Sequence, residues 1–352
     1  MKKKKLTFLK KLLNSHSPSG YEDAARAIWR AEMKEIADRV YGDTHGNSIA
    51  VVNPKAPLRV MLAGHIDEIG FQVQYICPDG YIYFTPIGGG FDTKNIPGRR
   101  VIIHTANGPL KGVTGKLAHY YMKAEDRNKS PEFSDLWIDT GIHDGKQVKK
   151  MVSIGDPVTY ADGFEQMGPT TCISRGVDDR IGAFVVGEVL RYLQKKSFFP
   201  AVFSVATVQE EIGCRGAITS AFGINPHISF AVDVTFGGAP DIDKKRSGNL
   251  ILGKGPVVAR GPNINPKLLA LIVKTARAKK IPVQIDAVAG PTFTDASVIQ
   301  LSRAGVATAL VSIPTRYLHS PVELFDTRDV ENAVQLIAET IIAMDATSTF
   351  LV

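Results

Sequence analysis

LRVMLAGHIDE, residues 58–68, decides how this chain is read. Its run Leu58 to Ala63 is short and apolar apart from Arg59, as expected of a buried strand, and polar chemistry starts where the strand stops, at Gly64-His65-Ile66-Asp67-Glu68. The pattern recurs. Ala201 to Val208 reads as a second strand followed by Glu210-Glu211, Ile228 to Val234 as a third carrying Asp233, and Val306 to Ile313 as a fourth followed by a loop with His319. Ile181 to Leu193 and Pro266 to Ala278 between them have helical spacing, as do Leu6 to Leu13 and Glu22 to Ala37 near the start, where Ser19 precedes the acidic pair Glu22-Asp23 as expected near a helix start. Strands alternating with helices imply an α/β fold, a sheet covered by helices.

From about Gly70 to Tyr160 the character changes. Short alternating segments (Gly70 to Ile76, Tyr81 to Phe84, Arg100 to His104, Asp156 to Tyr160) are separated by Gly, Pro, Asp and Asn turns, which reads as a small all-β module. The expected organisation is one α/β domain made of residues 1–67 and 166–352, interrupted by a β-rich insertion at 68–165. The module's histidines, His104, His119 and His143, are expected in loops or on the surface.

The totals set outer limits. A chain of 352 residues, 44% hydrophobic and 22% charged, is ordinary globular composition with enough apolar material for a substantial core. Cys77, Cys172 and Cys214 are scattered and form no C-x-x-C pair, so neither a disulfide framework nor a thiolate zinc site is suggested and a reducing compartment fits. The basic opening resembles the first region of a signal peptide, but Lys10 and Lys11 interrupt the apolar stretch and Asn14, Ser15 and His16 follow it, so a cytoplasmic protein is expected. No run approaches the roughly 18 apolar residues of a membrane span. The net charge of +7 is dispersed apart from the N-terminal lysines and Lys149-Lys150, so nucleic acid is not an expected partner.

In open α/β sheets, ligands bind beyond the carboxyl ends of the strands, where loops converge over a rigid platform. That rule gathers His65, Asp67, Glu210, Glu211, Asp233 and His319, with Asp178-Asp179 at the start of the intervening helix. Each has an ordinary alternative: a surface pair, a solvated acidic face, a turn cap, or a carboxylate complementing a helix start. Together they would form an acidic cluster whose mutual repulsion calls for a cation. Two histidines among carboxylates suit zinc, cobalt or manganese better than calcium or magnesium, and one shared Asp would let two ions sit about 3.5 Å apart. Asp67, two positions after His65 in an extended segment, points the same way and is expected to orient the imidazole rather than bind metal, while Glu210 and Glu211 should point to opposite sides.

The ordered set SPSGYED, AGHIDEIGF, PIGGG with GRRV, IGDPVTY, GVDDRIGAF, VQEEIGCRGA, AVDV, FTDAS and IPTRYLHSPVE resembles the tetrahedral aminopeptidases, the glutamyl, lysyl and deblocking group of co-catalytic metallopeptidases, over nearly the whole chain. The resemblance implies a zinc-peptidase-like catalytic domain, a mixed sheet sandwiched by helices, with an inserted β-barrel-like dimerisation domain. It implies that His65 and Asp233 bind one ion, that Glu211 and His319 bind the other, that Asp178 bridges both and that Glu210 is the general base. Asp178 is preferred as the bridge because related enzymes place it two residues before a basic residue, here Arg180, and four before a small one, here Gly182; Asp179 stays as the alternative. A cis peptide after the bridging Asp, short peptides as substrates, and dimers assembling into a hollow tetrahedral dodecamer are implied as well. Where the family carries a tryptophan after PIGG and a glutamine before the RV pair, this chain has Gly90-Phe91 and Arg99, so no named substrate preference carries over. Arg99 or Arg100 would favour acidic residues only if it faced the pocket; a solvated basic pair is the plainer expectation.

Other readings are a deacylase or carboxypeptidase with the same ions, a glycoside hydrolase and a non-catalytic scaffold. Glycosidic cleavage needs two carboxyl groups roughly 5–9.5 Å apart but neither histidine nor metal, and a scaffold could lose any of these positions freely.

Overall fold

The computed structural model describes residues 1–240 and 243–352. Among them, an eleven-stranded mixed sheet has at its centre four adjacent parallel strands, in the order Ala201–Thr207, Arg59–His65, Ile228–Phe236 and Ala307–Arg316. Their near-continuous Val, Ile, Leu and Ala content is what a strand covered on both faces requires. Arg39–Gly42 and Ser48–Val52 extend one edge antiparallel, and Glu323–Asp326, Thr171–Ser174 and Glu165–Gln166 extend the other. Parallel pairing of Ala201 with Arg59 and of Thr207 with His65 brings the carboxyl ends of neighbouring strands level.

Helices cover both faces. Val177–Leu193 lies over the strands with Val177, Ile181, Val185 and Val189 fully buried, and the N-terminal helix Lys3–Asn14 adds Phe8, Leu9, Leu12 and Leu13 to the same core while Lys10 and Lys11 stay exposed. The second helix, Asp23–Met33, buries Ala25, Trp29 and Met33 at four-residue spacing, and the Trp29 indole donates to the Ala183 carbonyl at 2.8 Å. The helix starts after Glu22, close behind Ser19 as expected; it has no side-chain cap, and the Ser19 hydroxyl is used at the site described below.

Close backbone approach explains one motif. A Cβ on Gly64 would lie 2.3 Å from the Gly182 carbonyl carbon, so only glycine lets the strand end and the helix start approach this closely.

The segment between Arg59–His65 and Glu165–Gln166 forms a closed six-stranded antiparallel barrel, in the order Gly70–Ile76, Ile82–Ile87, Leu136–Asp139, Gly108–Lys116, Arg100–Thr105, Pro157–Tyr160. Alternating apolar residues fill it, including Phe71, Phe84, Val101, Ile103, Ile138 and Val158. Phe91 packs against this core, its ring centroid 5.1 Å from that of Phe71. His119 and His143 are exposed. His104 is not a loop residue: it lies in the strand Arg100–Thr105, and its ring stacks on His16 of the N-terminal segment at 3.9 Å. Burial, reinforced by His16 and Arg175, lowers His104 to about 4, so it is neutral where it joins the barrel to the rest of the chain.

Candidate metal centre

The parallel strands and the helix start converge on one point. His65 ends its strand, Asp233 lies in the next, Glu210 and Glu211 follow Ala201–Thr207, and His319 follows Ala307–Arg316. Asp178 and Asp179 open the helix with non-helical backbone angles, and the peptide between them is cis, where the sequence comparison expects it.

The geometry separates these neighbours. Asp178 Oδ1 lies 3.0 Å from His65 Nε2, and Asp178 Oδ2 lies 3.3 Å from His319 Nε2, so one carboxylate faces a histidine from each side. His319 Nε2 is also 3.7 Å from Glu211 Oε2. Two donor groups result, His65 with Asp178 and Asp233, and Asp178 with Glu211 and His319; in each, the potential ligand atoms lie within 4.8 Å of one another. Asp179 joins neither. Its Oδ2 accepts from the His65 amide at 3.1 Å and its Oδ1 from the Gly182 amide at 3.0 Å, so it clamps the strand end to the helix start.

Asp67 ties the site together. Its Oδ1 lies 3.4 Å from His65 Nδ1 and accepts from the Glu210 amide at 3.0 Å; its Oδ2 accepts from the Glu211 amide at 3.2 Å and the Ser19 hydroxyl at 2.6 Å. One fully buried carboxylate thereby fixes the imidazole and the backbone of both glutamates. Glu323 does the same opposite, accepting from the Asp178 amide at 3.0 Å and the His319 amide at 2.9 Å. Ser19 and Glu323 are the residues that sequence reasoning missed; both lie within motifs quoted above, but no spacing rule says that they face the site.

The electrostatics suit a cation pair. Burial opposes charge on Asp178, yet His319 and His65 hold its carboxyl well below the usual range. Burial and then the Asp178 charge push the Glu211 and Asp233 carboxyls well up, the signature of acids too close together for all to ionise. Glu211 Oε1 is buried with no hydrogen-bond partner among the described residues. Carboxylates crowded around two imidazoles, with one buried oxygen unsatisfied, fit two divalent ions.

The model of the M42 glutamyl aminopeptidase family matches residues 46–336. The chain belongs to that family. It is 38% identical over 333 residues to the lysyl aminopeptidase of Pyrococcus furiosus, covering 93% of this chain and 94% of the relative. Among solved structures it superposes with a TM-score of 0.93, at 32% identity and 97% coverage of both chains, on the TET aminopeptidase of a marine sediment thaumarchaeal archaeon. The Pyrococcus horikoshii TET1 peptidase gives a TM-score of 0.85 at 29% identity, covering 97% of this chain and 100% of that one. With the clustered donors, this makes the protein a metal-dependent aminopeptidase of the M42 family, with the family's mixed α/β catalytic fold and barrel insertion.

The barrel of this M42 enzyme reaches the site. Gly88 to Gly90, just past the strand Ile82–Ile87, line the His319 side: the Gly89 carbonyl faces the ring, and a Cβ on Gly90 would meet His319 Nδ1 at 2.2 Å. Gly90 also has φ +74°, which disfavours any side chain. Gly90→Ala is therefore expected to displace the imidazole and weaken metal binding by about 10–100-fold, the usual cost of disturbing a ligand's support, with little change at His65. Calorimetric titration of the stripped protein with zinc checks this: two unequal affinities where the parent has tight ones is the expected result, and unchanged binding would show that the loop does not support His319.

Beside His319, a cleft of ≈ 390 Å³ is lined by Gly90, Asp92, Asn95, Arg99 and Tyr317. Arg99 faces this cleft, its Nε donating to the Asn95 carbonyl at 3.0 Å, whereas Arg100 lines a separate cavity on the barrel. Arg99 and Arg100 are both exposed, as a solvated basic pair would be, and of the two Arg99 borders this cleft.

Proposed function

We propose that His65 and Asp233 hold one divalent ion, Glu211 and His319 a second, and Asp178 both, with Glu210 as general base in the removal of N-terminal residues from short peptides. The observation that carries this reading is the two-sided placement of the Asp178 carboxylate, one oxygen toward each histidine. Zinc or cobalt, with manganese as a third candidate, suits the mixed nitrogen and oxygen donors. When bound, such a pair polarises the scissile carbonyl and acidifies the attacking water. Glu210 takes that water's proton on its carboxylate and returns it to the leaving amine. Its surroundings suit the task, because burial, with a further push from Asp295, raises Glu210 to about 7 despite the opposing effect of His65. Asp67 keeps the His65 imidazole and the Glu210 backbone in register while the proton moves.

Arg99, exposed on the wall of the cleft beside His319, would favour an acidic first residue in the substrate. We also propose residues 1–67 and 166–352 as the catalytic domain and 68–165 as a dimerisation domain. The Pyrococcus horikoshii relative assembles into a tetrahedron or a large octahedral shell. For this chain we extend self-association to dimers and a tetrahedral dodecamer acting in the cytoplasm. Among the described residues no helix is long and apolar enough to cross a membrane.

The test is to strip the protein with chelator and incubate it with free-amine and N-acetylated peptides bearing acidic, basic and apolar first residues, with and without zinc or cobalt. Stepwise, metal-dependent shortening of the free-amine peptides by mass spectrometry is expected, with acidic first residues lost fastest. Cleavage confined to acetylated or carboxyl-terminal bonds would reassign the site to deacylase or carboxypeptidase chemistry.

A further inference from the structure

Glu210 has a second neighbourhood, away from the two histidines. Its Oε2 lies 3.9 Å from His65 Nε2, but its Oε1 accepts from the Cys214 thiol at 3.1 Å. Asp295 completes a group in which Glu210, Cys214 and Asp295 each offer a ligand atom within 4.8 Å of the others. Asp295 is only 2% exposed; its Oδ2 accepts from the Thr207 hydroxyl at 2.6 Å, and its Oδ1 is buried with no hydrogen-bond partner among the described residues. A buried carboxylate oxygen without a donor is costly and asks for an occupant that supplies positive charge.

The thiol is held in place by the backbone. Cys214 directly precedes the helix Arg215–Ile224, and its amide closes a tight turn on the Glu210 carbonyl at 2.8 Å. Sulfur with two carboxylates is a donor set that selects a thiophilic ion such as zinc or cadmium over magnesium or calcium.

We propose that Glu210, Cys214 and Asp295 form a third, inhibitory site for a thiophilic divalent cation, distinct from the catalytic pair. Binding releases the thiol proton to water and leaves a thiolate and two carboxylates on the ion. A cation on Oε1 occupies the carboxylate that would take the water's proton, while the ligands of the catalytic pair stay in place. Turnover then falls without loss of the pair, and excess metal inhibits the enzyme that metal activates. The inhibitory step rests on Glu210 being the base.

The experiment titrates the zinc-loaded holoenzyme with cadmium and reads the ultraviolet thiolate-to-cadmium charge-transfer band, metal per chain and peptide turnover. The parent enzyme is expected to gain the band and one additional ion as its rate falls. Cys214→Ala and Cys214→Ser, each normalised to its own cadmium-free rate, should lack the band and need at least about tenfold more cadmium for the same fractional loss, with Asp295→Asn shifted the same way. The proposal is overturned if the parent shows no band, if the band survives in Cys214→Ala and so belongs to Cys77 or Cys172, or if cadmium enters only by displacing zinc from the pair. Band and stoichiometry report the site whatever the base is, whereas Glu210→Gln reports the base, so failure of either reading is distinguishable.

Discussion

Glu210→Gln is expected to lower turnover by roughly two to four powers of ten, the scale of general-base catalysis, while metal content stays at that of the parent enzyme. Gln preserves the side chain's shape, and the bond from the residue 210 amide to Asp67 Oδ1 does not depend on the side chain. What disappears is the capacity to hold a proton between water and leaving amine. Glu210 belongs to neither donor group assigned to the catalytic pair, so metal analysis and single-turnover rates on the same sample separate the roles. A variant that turns over at the parent rate would remove Glu210 as the base; a variant that loses metal would make it a ligand.

Asp178→Ala should act on binding itself. Asp178 is common to both donor groups, so its removal opens both at once. Metal affinity more than about 100-fold weaker and loss of detectable peptidase activity are expected, a larger effect than disturbing an outer support. Asp179→Asn is the informative partner. It changes a carboxylate that accepts from the His65 and Gly182 amides, and should weaken metal binding by about 10–100-fold through the position of His65. Near-parent circular dichroism in both variants makes the comparison one of ligand sets rather than of folding. The opposite ranking, with Asp179→Asn losing both ions, would transfer the bridge to Asp179.

Much of the architecture was legible along the chain because both periods were strong. Short, mostly apolar runs marked the parallel strands, and polar residues at their ends marked where a site could form. The sequence reading put Asp67 beside His65 and sent the adjacent glutamates different ways; in the structure Glu210 reaches toward His65 and Cys214, while Glu211 reaches toward His319. Ser19 shows the limit of the same logic: a helix does begin just after it, at Asp23, but its hydroxyl donates to a buried carboxylate 48 positions away, which no local rule foresees.

The sequence by itself determined the α/β class, the β-rich insertion and the set of imidazoles and carboxylates, because these follow from residue type and spacing over a few positions. Tertiary structure decided which of two adjacent aspartates faces both histidines, that a barrel loop supports His319, that Arg99 rather than Arg100 faces the cleft beside it, and that Cys214 lies against Glu210. Each of these depends on a side chain's direction at a junction between segments far apart in the chain, and local propensity carries no information about what another segment will bring there.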